Sequence, residues 1–241
     1  MVEFELVLPA YNEAPSLETV IRRTIEAAAQ SQYSPDTFQL ILVQNGSRDN
    51  SDSVLRHLKG GPMGSWFRVV TVPVNQGYGY GILSGLRETR AIWVGWSHAD
   101  EQCDPRDVFK ALTSLKKLTS HVLVKGTRSG RNWKDMLVSR VFEAFARIFL
   151  GLNINEINAQ PKVFDAELLK HLTNPPFTFA FDLYVLYCAQ KQGYRVQTIP
   201  VQFPPRVHGV SNWAANFLGR YRTILGMIYY MWRLSRLEGR L

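Results

Sequence analysis

The segment Phe4-Glu5-Leu6-Val7-Leu8-Pro9-Ala10-Tyr11-Asn12-Glu13 contains a short apolar run that a proline stops. Behind it, apolar residues recur at the spacing of one helix face: Leu17, Val20, Ile21, Ile25 and Ala28. Further apolar runs follow at 38–43, 68–72 and 92–96, and the segments between them include predicted helices at 51–58 and 82–90. Strands separated in this way predict an α/β fold built on a mainly parallel sheet flanked by helices.

Ligands bind to such sheets at the carboxyl ends of the strands. The segments that follow the first four apolar runs are 9–13, 44–48, 75–81 and 97–104. The second half of the chain has predicted strands at 122–125, 162–164 and 195–203. Its predicted helices lie at 107–118, 138–150, 181–192 and 214–237, with a polar, basic loop at 126–134. Candidate site residues should therefore come from several loops at one edge of the sheet.

The composition is that of a folded protein. The chain has 241 residues, 46% of them hydrophobic and 20% charged, so it can bury a full core without cross-links. We expect one domain over 1–212 and an amphipathic helical segment over 213–241. Two cysteines cannot form a disulfide framework, the acidic start is unlike a signal peptide, and no apolar run reaches the roughly 18 residues of a membrane span. These features predict a cytoplasmic protein.

The positive charge is concentrated in the second half. The net charge is +8, yet residues 1–100 carry eight basic and ten acidic side chains, whereas residues 101–241 carry twenty and ten. This asymmetry predicts an anionic partner, such as a nucleic acid, an anionic lipid headgroup or a phosphorylated small molecule. Because no basic stripe with stacking aromatic residues is evident, we expect no nucleic-acid partner.

The first two loops each allow two interpretations. The loop Pro9 to Glu13 could hold a base or ribose edge, or it could be a strand-to-helix turn with a helix cap. In the loop that follows the second strand, Asn45 carries an amide that both donates and accepts, so it could bind the edge of a nucleobase. Asn45-Gly46 is equally a turn signal.

The third and fourth loops contain glycine and acidic residues. Gly77, Gly79 and Gly81 could let backbone N–H groups approach a phosphate, or they could permit close packing of a helix on a strand. In the fourth loop, His98, Asp100 and Gln102 share one face of an extended segment. The side-chain oxygens of Asp100 and Gln102 suit Mg²⁺ or Mn²⁺, with water and substrate phosphates completing the coordination shell. The alternative there is a helix cap at Asp104-Pro105.

Two basic regions complete the candidates. Arg128 follows a predicted strand end and is well placed to bind a phosphate, and Arg206 lies in a loop after a double proline. The C-terminal segment alternates arginines with aliphatic and aromatic residues between Arg220 and Arg240. This pattern is typical of a helix that lies on a membrane surface. The alternatives are contact with a second subunit or packing on the core, and the oligomeric state stays open.

Four motifs occur together and in order: Leu8-Pro9-Ala10-Tyr11-Asn12-Glu13, Val43-Gln44-Asn45-Gly46-Ser47-Arg48-Asp49, Asn75-Gln76-Gly77-Tyr78-Gly79 and His98-Ala99-Asp100-Glu101-Gln102. In this order they resemble glycosyltransferase family 2, in its branch of dolichol- or polyprenyl-phosphate sugar synthases. The likeness extends from about residue 4 to about residue 212. The resemblance implies a GT-A fold, a UDP- or GDP-sugar donor, and Mg²⁺ or Mn²⁺ as cofactor.

The resemblance also implies the donor site. It assigns the nucleotide sugar to Pro9, Tyr11, Glu13, Asn45, Gly77, His98, Asp100 and Arg206, and the metal to Asp100 and Gln102. The chain departs from the family pattern at three positions. Gln44-Asn45 replaces a pair of aspartates, His98 replaces the first acid of the Asp-x-Asp motif, and Tyr78 replaces a frequent lysine. Asn45 can still accept a hydrogen bond from the base through its carbonyl.

Two acceptor classes follow from the resemblance. A polyprenyl phosphate at the cytoplasmic membrane face would bind Arg128, Ser139 and Arg140, with Asp135 at the position of a second family arginine. Such a phosphate is ionised at pH 7 and needs no general base. It would attack C1 of the hexose from the face opposite the departing diphosphate, which gives transfer with inversion. A sugar hydroxyl of a glycan or lipid-linked intermediate would need a base. Asp182 matches the family's base position, and its alternative role is to stabilise a helix N-terminus.

A third interpretation is a protein that binds a nucleotide sugar without catalysis, which the altered residues Gln44, Asn45 and His98 motivate.

Overall fold

A seven-stranded sheet with helices on both faces forms the fold. The computed structural model describes residues 2–118, 121–130, 133–204 and 217–237, without the side chains of 134, 135 and 217–221. The strands are Phe4–Ala10 (β1), Phe38–Asn45 (β2), Phe67–Val72 (β3), Trp93–Trp96 (β4), Val122–Ser129 (β5), Lys162–Asp165 (β6) and Arg195–Gln202 (β7). The α-helices are Ala14–Gln30 (α1), Ser51–Lys59 (α2), Tyr78–Arg87 (α3), Pro105–Lys116 (α4), Trp133–Leu150 (α5), Phe181–Lys191 (α6) and Phe217–Leu237 (α7).

The strand order is β3-β2-β1-β4-β6-β5-β7. Only β6 runs against its neighbours: it is antiparallel to both β4 and β5, while the other four ladders are parallel. The other six strands therefore end at the same edge of the sheet. This topology confirms the predicted mainly parallel sheet and brings the loops after β1, β2, β4, β5 and β7 to one edge.

The central strands are apolar because both of their faces are covered. On one face, Val7 and Ile41 pack in a cluster with residues of α3, α5, α6 and α7. On the other face, Leu6 and Leu40 pack with α1, α2 and α4. The charged exception in β1 is Glu5, which is 1% exposed. Its carboxylate is paired with Arg68 of β3 at 2.5 Å and accepts the N–H of Ala91 at 3.0 Å.

Two predicted boundaries were wrong. Helix α3 begins at Tyr78 rather than at 82, because the first-turn glycines give no apolar signal although their backbone is helical. The segment 126–134 is not one loop. β5 continues to Ser129 because β7 pairs with it as far as Ser129 and Gln202, and α5 begins at Trp133. Arg128 is consequently a strand residue with a fixed direction.

Helix α7 packs against α5 along one face. Met227, Met231 and Leu234 are buried in the same cluster as Phe142 and Ala146 of α5. The predicted boundary between a domain and a C-terminal segment falls within 205–216, outside the described residues, so this division stays a prediction. None of the helices in the described ranges is long and apolar enough to cross a bilayer.

Candidate active site

The loops after β1 and β2 are tied to each other by hydrogen bonds. The N–H of Asn12 donates to Ser47 Oγ at 3.1 Å, and the N–H of Arg48 donates to Asn12 Oδ1 at 2.8 Å. The N–H of Ala14, at the start of α1, donates to Asp49 Oδ2 at 3.0 Å. Burial opposes the ionisation of Asp49, but hydrogen bonds from Ser51 and Ala14 outweigh it and lower the pKa. The two loops thus form one unit at the edge of the sheet.

This unit holds three residues that the resemblance assigns to the donor. Pro9 is in β1 and partly buried, Tyr11 is partly buried in the loop, and Glu13 immediately precedes α1. Glu13 Oε2 accepts a hydrogen bond from Ser16 Oγ at 3.3 Å, so this side chain also contributes to the start of the helix. The cap interpretation and the binding interpretation remain compatible here, and the donor role of these residues stays a prediction.

Asn45 ends β2 and is 3% exposed. Its Nδ2 donates to the Gly77 carbonyl at 3.2 Å, whereas its Oδ1 is buried and has no hydrogen-bond partner among the described residues. A buried acceptor without a donor is costly unless a ligand or water supplies one. The resemblance assigns Asn45 Oδ1 to the nucleobase, and this atom is an acceptor without a partner among the described residues.

The glycine-rich segment packs closely on other parts of the chain. The N–H groups of Gly79 and Tyr80 donate to the Phe177 carbonyl at 2.9 and 3.3 Å, and the N–H of Gly77 donates to Asn75 Oδ1 at 2.8 Å. Gly77 has φ of 115°, and a Cβ there would lie 2.4 Å from the Phe177 carbonyl oxygen. The glycines allow α3 to approach the segment before α6. The N–H of Gly77 already has a partner in Asn75. The role of Gly77 in donor binding stays a prediction.

The loop after β4 folds over the end of the sheet. Asp100 is 5% exposed, and its Oδ1 accepts the N–H of Gln102 at 3.2 Å. Gln102 Nε2 donates to the Pro204 carbonyl at 2.9 Å, which links this loop to the segment after β7. The His98 ring lies 6.0 Å from the Tyr78 ring. The contact between Asp100 and Gln102 joins a side chain to a backbone N–H, so their joint role as metal ligands stays a prediction. Asp104 caps α4 through the N–H of Arg106 at 2.9 Å.

The donor atoms of this loop fit a metal ion only in part. In the described ranges, no three His, Cys, Asp or Glu side chains come close enough to hold a metal. Asp100 brings one buried carboxylate. The hydrogen bond from Gln102 Nε2 to the Pro204 carbonyl fixes the plane of the Gln102 side-chain amide, which carries the second candidate oxygen. A hard cation takes oxygen ligands and can complete its shell with water and phosphate oxygens. Asp100 and Gln102 thus fit a metal that is bound together with a diphosphate.

Arg128 and this loop contact adjacent residues of the segment after β7, Phe203 and Pro204 respectively. Burial raises the pKa of the Cys103 thiol to about 12, the Asp100 charge adds to the rise, and the Arg128 charge opposes it. Arg128 Nε donates to Glu156 Oε2 at 2.5 Å, and the guanidinium stands 5.5 Å from the centre of the Phe203 ring. Sequence reasoning missed Glu156 and Phe203. The signal for Phe203 was its position directly before Pro204, at the end of β7.

Asp182 is buried at the start of α6, 2% exposed. Its Oδ1 is ion-paired with Lys162 Nζ and accepts Gln160 Nε2 at 2.9 Å. Gln160 Nε2 also reaches the Tyr78 hydroxyl at 3.2 Å. Burial lowers the pKa of Lys162, and Asp182 partly restores it. Lys162 and Gln160 were also missed, although a lysine beginning the apolar run of β6 indicates a buried partner of opposite charge.

A second buried lysine lies in β5. Lys125 is completely buried and donates to the carbonyls of Gly126 and Asn155 at 2.7 and 3.0 Å. Burial and the Lys162 charge lower its pKa to about 7.

The other predicted acceptor residues lie on α5, where Ser139 is partly buried and Arg140 is exposed. Arg206 and the side chain of Asp135 lie outside the described residues.

The mainly parallel seven-stranded sheet with helices on both faces has the architecture of the GT-A fold. The chain matches the family model "Glycosyl transferase family 2" over residues 5–186. It therefore belongs to glycosyl transferase family 2.

Curated relatives share moderate identity with the chain. It is 26% identical over 212 residues to an undecaprenyl-phosphate 4-deoxy-4-formamido-L-arabinose transferase of Edwardsiella ictaluri, covering 86% of this chain and 62% of that protein. It is 26% identical over 235 residues to a dodecaprenyl-phosphate galacturonate synthase of Rhizobium johnstonii, covering 95% and 67%. The chain thus spans about two thirds of the length of these relatives. They confirm the predicted branch of polyprenyl-phosphate sugar synthases.

A solved structure confirms the fold. Glucosyl-3-phosphoglycerate synthase from Mycobacterium tuberculosis, in complex with Mn²⁺, UDP and glucosyl-3-phosphoglycerate, superposes with a TM-score of 0.71. It is 20% identical, and the match covers 97% of this chain and 80% of that one.

Proposed function

We propose that the chain is an inverting glycosyltransferase that moves a hexose from a UDP- or GDP-sugar to polyprenyl or dolichyl phosphate. The observation that carries this proposal is the contrast between the two candidate acceptor groups. Asp182 is buried and ion-paired with Lys162, whereas Arg128 contacts Phe203, the neighbour of the Pro204 carbonyl that binds Gln102 of the Asp100 loop. An acceptor that is already ionised needs a cation and no base. This arrangement favours a phosphate over a hydroxyl.

The donor side follows from the same geometry. The unpaired Oδ1 of Asn45 supports binding of a nucleobase N–H. Asp100 and Gln102 would hold Mg²⁺ or Mn²⁺, which supplies positive charge against the diphosphate when it is bound. The M. tuberculosis neighbour was solved with Mn²⁺ and UDP, which supports this donor class. Arg128 then orients the acceptor phosphate for attack on the sugar C1 from the face opposite the diphosphate, which inverts the configuration.

Two helices support binding to a membrane surface. Helix α5 carries a second apolar stripe on the side away from the core, formed by the exposed residues Trp133, Leu137, Val141 and Ile148. Helix α7 exposes Leu225, Tyr229 and Trp232 in the same way. Exposed arginines flank both stripes: Arg140, Arg147, Arg222, Arg233 and Arg236. Apolar and aromatic stripes with flanking cations suit the interface of an anionic bilayer. We therefore place the protein at the cytoplasmic membrane face.

The second candidate is transfer to a sugar hydroxyl with Asp182 as base, and the third is nucleotide-sugar binding without catalysis. One assay separates them: radiolabelled UDP- and GDP-hexoses are incubated with undecaprenyl phosphate in detergent, with and without Mn²⁺. We expect label in the lipid fraction with one donor, loss of at least tenfold in Arg128→Ala, and substantial retention in Asp182→Asn.

Loss of activity in folded Asp182→Asn, with Arg128→Ala still active, would favour the hydroxyl acceptor. Donor binding without transfer to any acceptor would favour the third candidate. Glu26→Gln removes an exposed ion pair with Arg22 and serves as the control for mutation alone.

A further inference from the structure

Arg128 is held at three places by residues from different elements. Glu156, between α5 and β6, accepts Nε–H at 2.5 Å, and the ring of Phe203 covers the guanidinium at 5.5 Å. The side chains of Arg128 and Glu156 are 12% and 14% exposed. The strand β5 fixes the backbone of Arg128 through its pairing with Val201. Few conformations remain for this arginine.

Glu156 is itself held in an uncommon conformation. Its φ is 52°, in the left-handed region that non-glycine residues seldom adopt. Its N–H donates to Glu143 Oε1 of α5 at 2.6 Å, and its carbonyl accepts the N–H of Ala159 at 2.9 Å. The preceding carbonyl, that of Asn155, accepts from Lys125 Nζ at 3.0 Å. These three contacts stabilise a strained backbone, and the Glu156 side chain reaches Arg128.

We propose that Glu156 is a positioning residue: by binding Nε–H it turns the two terminal NH₂ groups of Arg128 toward the acceptor phosphate. An arginine offers five N–H donors in a fixed plane, and a bidentate contact with phosphate needs only one edge of it. Binding of the Nε–H by a carboxylate leaves the edge formed by the terminal groups. This inference rests on the proposed function, since the phosphate is that of the acceptor.

A competing interpretation makes the opposite prediction. If Glu156 stood in for the phosphate and had to leave before the acceptor could bind, its removal would tighten phosphate binding. If it positions Arg128, its removal frees the guanidinium to rotate and weakens phosphate binding. The direction of the change therefore decides between the two.

Farnesyl phosphate and farnesol are suitable probes, since they differ only in the phosphate. Calorimetric titration of the full chain should show tighter binding of farnesyl phosphate in the wild type. Glu156→Gln should weaken that binding about tenfold, because it replaces a charge-assisted hydrogen bond by a weaker one to a neutral acceptor. Glu156→Asp should restore most of it, and the affinity for UDP or GDP should stay unchanged in all variants. Glu26→Gln is the matched control for loss of an Arg–Glu pair at the surface.

A spectroscopic measurement separates positioning from folding. In ¹⁵N NMR the Arg128 Nε–H should give a slowly exchanging signal, assigned by its absence in Arg128→Lys, and its exchange with water should be faster in Glu156→Gln. If the wild type binds both probes equally, the acceptor assignment fails and the inference fails with it. If the wild type prefers farnesyl phosphate while Glu156→Gln binds it equally or more tightly, the inference alone is overturned.

Discussion

The loops after β1 and β2 and the interior beneath β5 and β6 support the same edge of one sheet by different means. The first region uses hydrogen bonds of backbone N–H groups near the surface: Asn12 donates to Ser47, Arg48 to Asn12, and Ala14 to the exposed Asp49 carboxylate. Gly46 has φ of 67°, and a Cβ there would lie 2.3 Å from the N atom of Asn75. Here small residues and backbone hydrogen bonds bring the chain close to itself.

The second region uses buried charge. Lys125 and Lys162 are both 0% exposed, and Asp182 is 2% exposed. Removing charges from water is expensive, and the cost is recovered only while every partner remains in place. We therefore expect a single substitution in the first region to remove one contact, whereas a substitution in the second region should weaken the whole network of buried charges.

The largest effect is expected at Lys162. Lys162→Met removes the cation and leaves the buried Asp182 carboxylate with Gln160 Nε2 as the one remaining donor to Oδ1 among the described residues. We expect a loss of about 3–5 kcal/mol in the free energy of unfolding, measured by urea denaturation. The matched control is Lys170→Met, whose pair with Glu167 is exposed. Equal effects of the two substitutions would show that the interior pair has no special weight.

The next largest effect is expected from a substitution that disturbs the first region. A Cβ at Gly81 would lie 2.7 Å from Asn45 Nδ2 and 3.3 Å from the Pro9 Cβ. Gly81→Ala should therefore cost about 1–3 kcal/mol by overpacking and should weaken nucleotide binding by displacing Asn45. Gly226→Ala is the control, because nothing lies within 4 Å of its added Cβ and alanine favours a helix. Unchanged nucleotide affinity in Gly81→Ala would remove Asn45 from the donor site.

The difference between the regions also explains what the sequence could predict. The strands and the loops after β1, β2 and β4 follow from apolar runs and turn residues, which are local signals. The glycines of α3 were ambiguous because packing against Phe177 depends on a segment a hundred residues away. The Lys162–Asp182 and Arg128–Glu156 pairs join residues 20 and 28 positions apart. A single sequence does not reveal which charges will be buried together.

Lys125 gives the second region a dependence on pH. Burial lowers its pKa from the ordinary 10.5 to about 7 in the folded state. Between these values the unfolded chain binds more protons than the folded one, so this lysine makes stability rise as pH increases from about 7 toward 10. Lys125→Met should reduce that slope by at most about 1.4 kcal/mol per pH unit. Lys110→Met, at an exposed lysine paired with Asp107, should leave the slope as it is. Urea denaturation at pH 7, 8 and 9 measures it.

The smallest effect is expected at an ion pair of the first half. Arg56 and Asp52 are 2.9 Å apart in α2, with side chains 76% and 47% exposed. Because water solvates both charges, Arg56→Ala should change the free energy of unfolding by about 0.5 kcal/mol or less, and 0.5 M salt should remove the difference. The pair joins the same charge types as Lys162 and Asp182, so burial alone separates the two expected effects. A loss above 2 kcal/mol would mean that exposure to water does not weaken an ion pair in this protein.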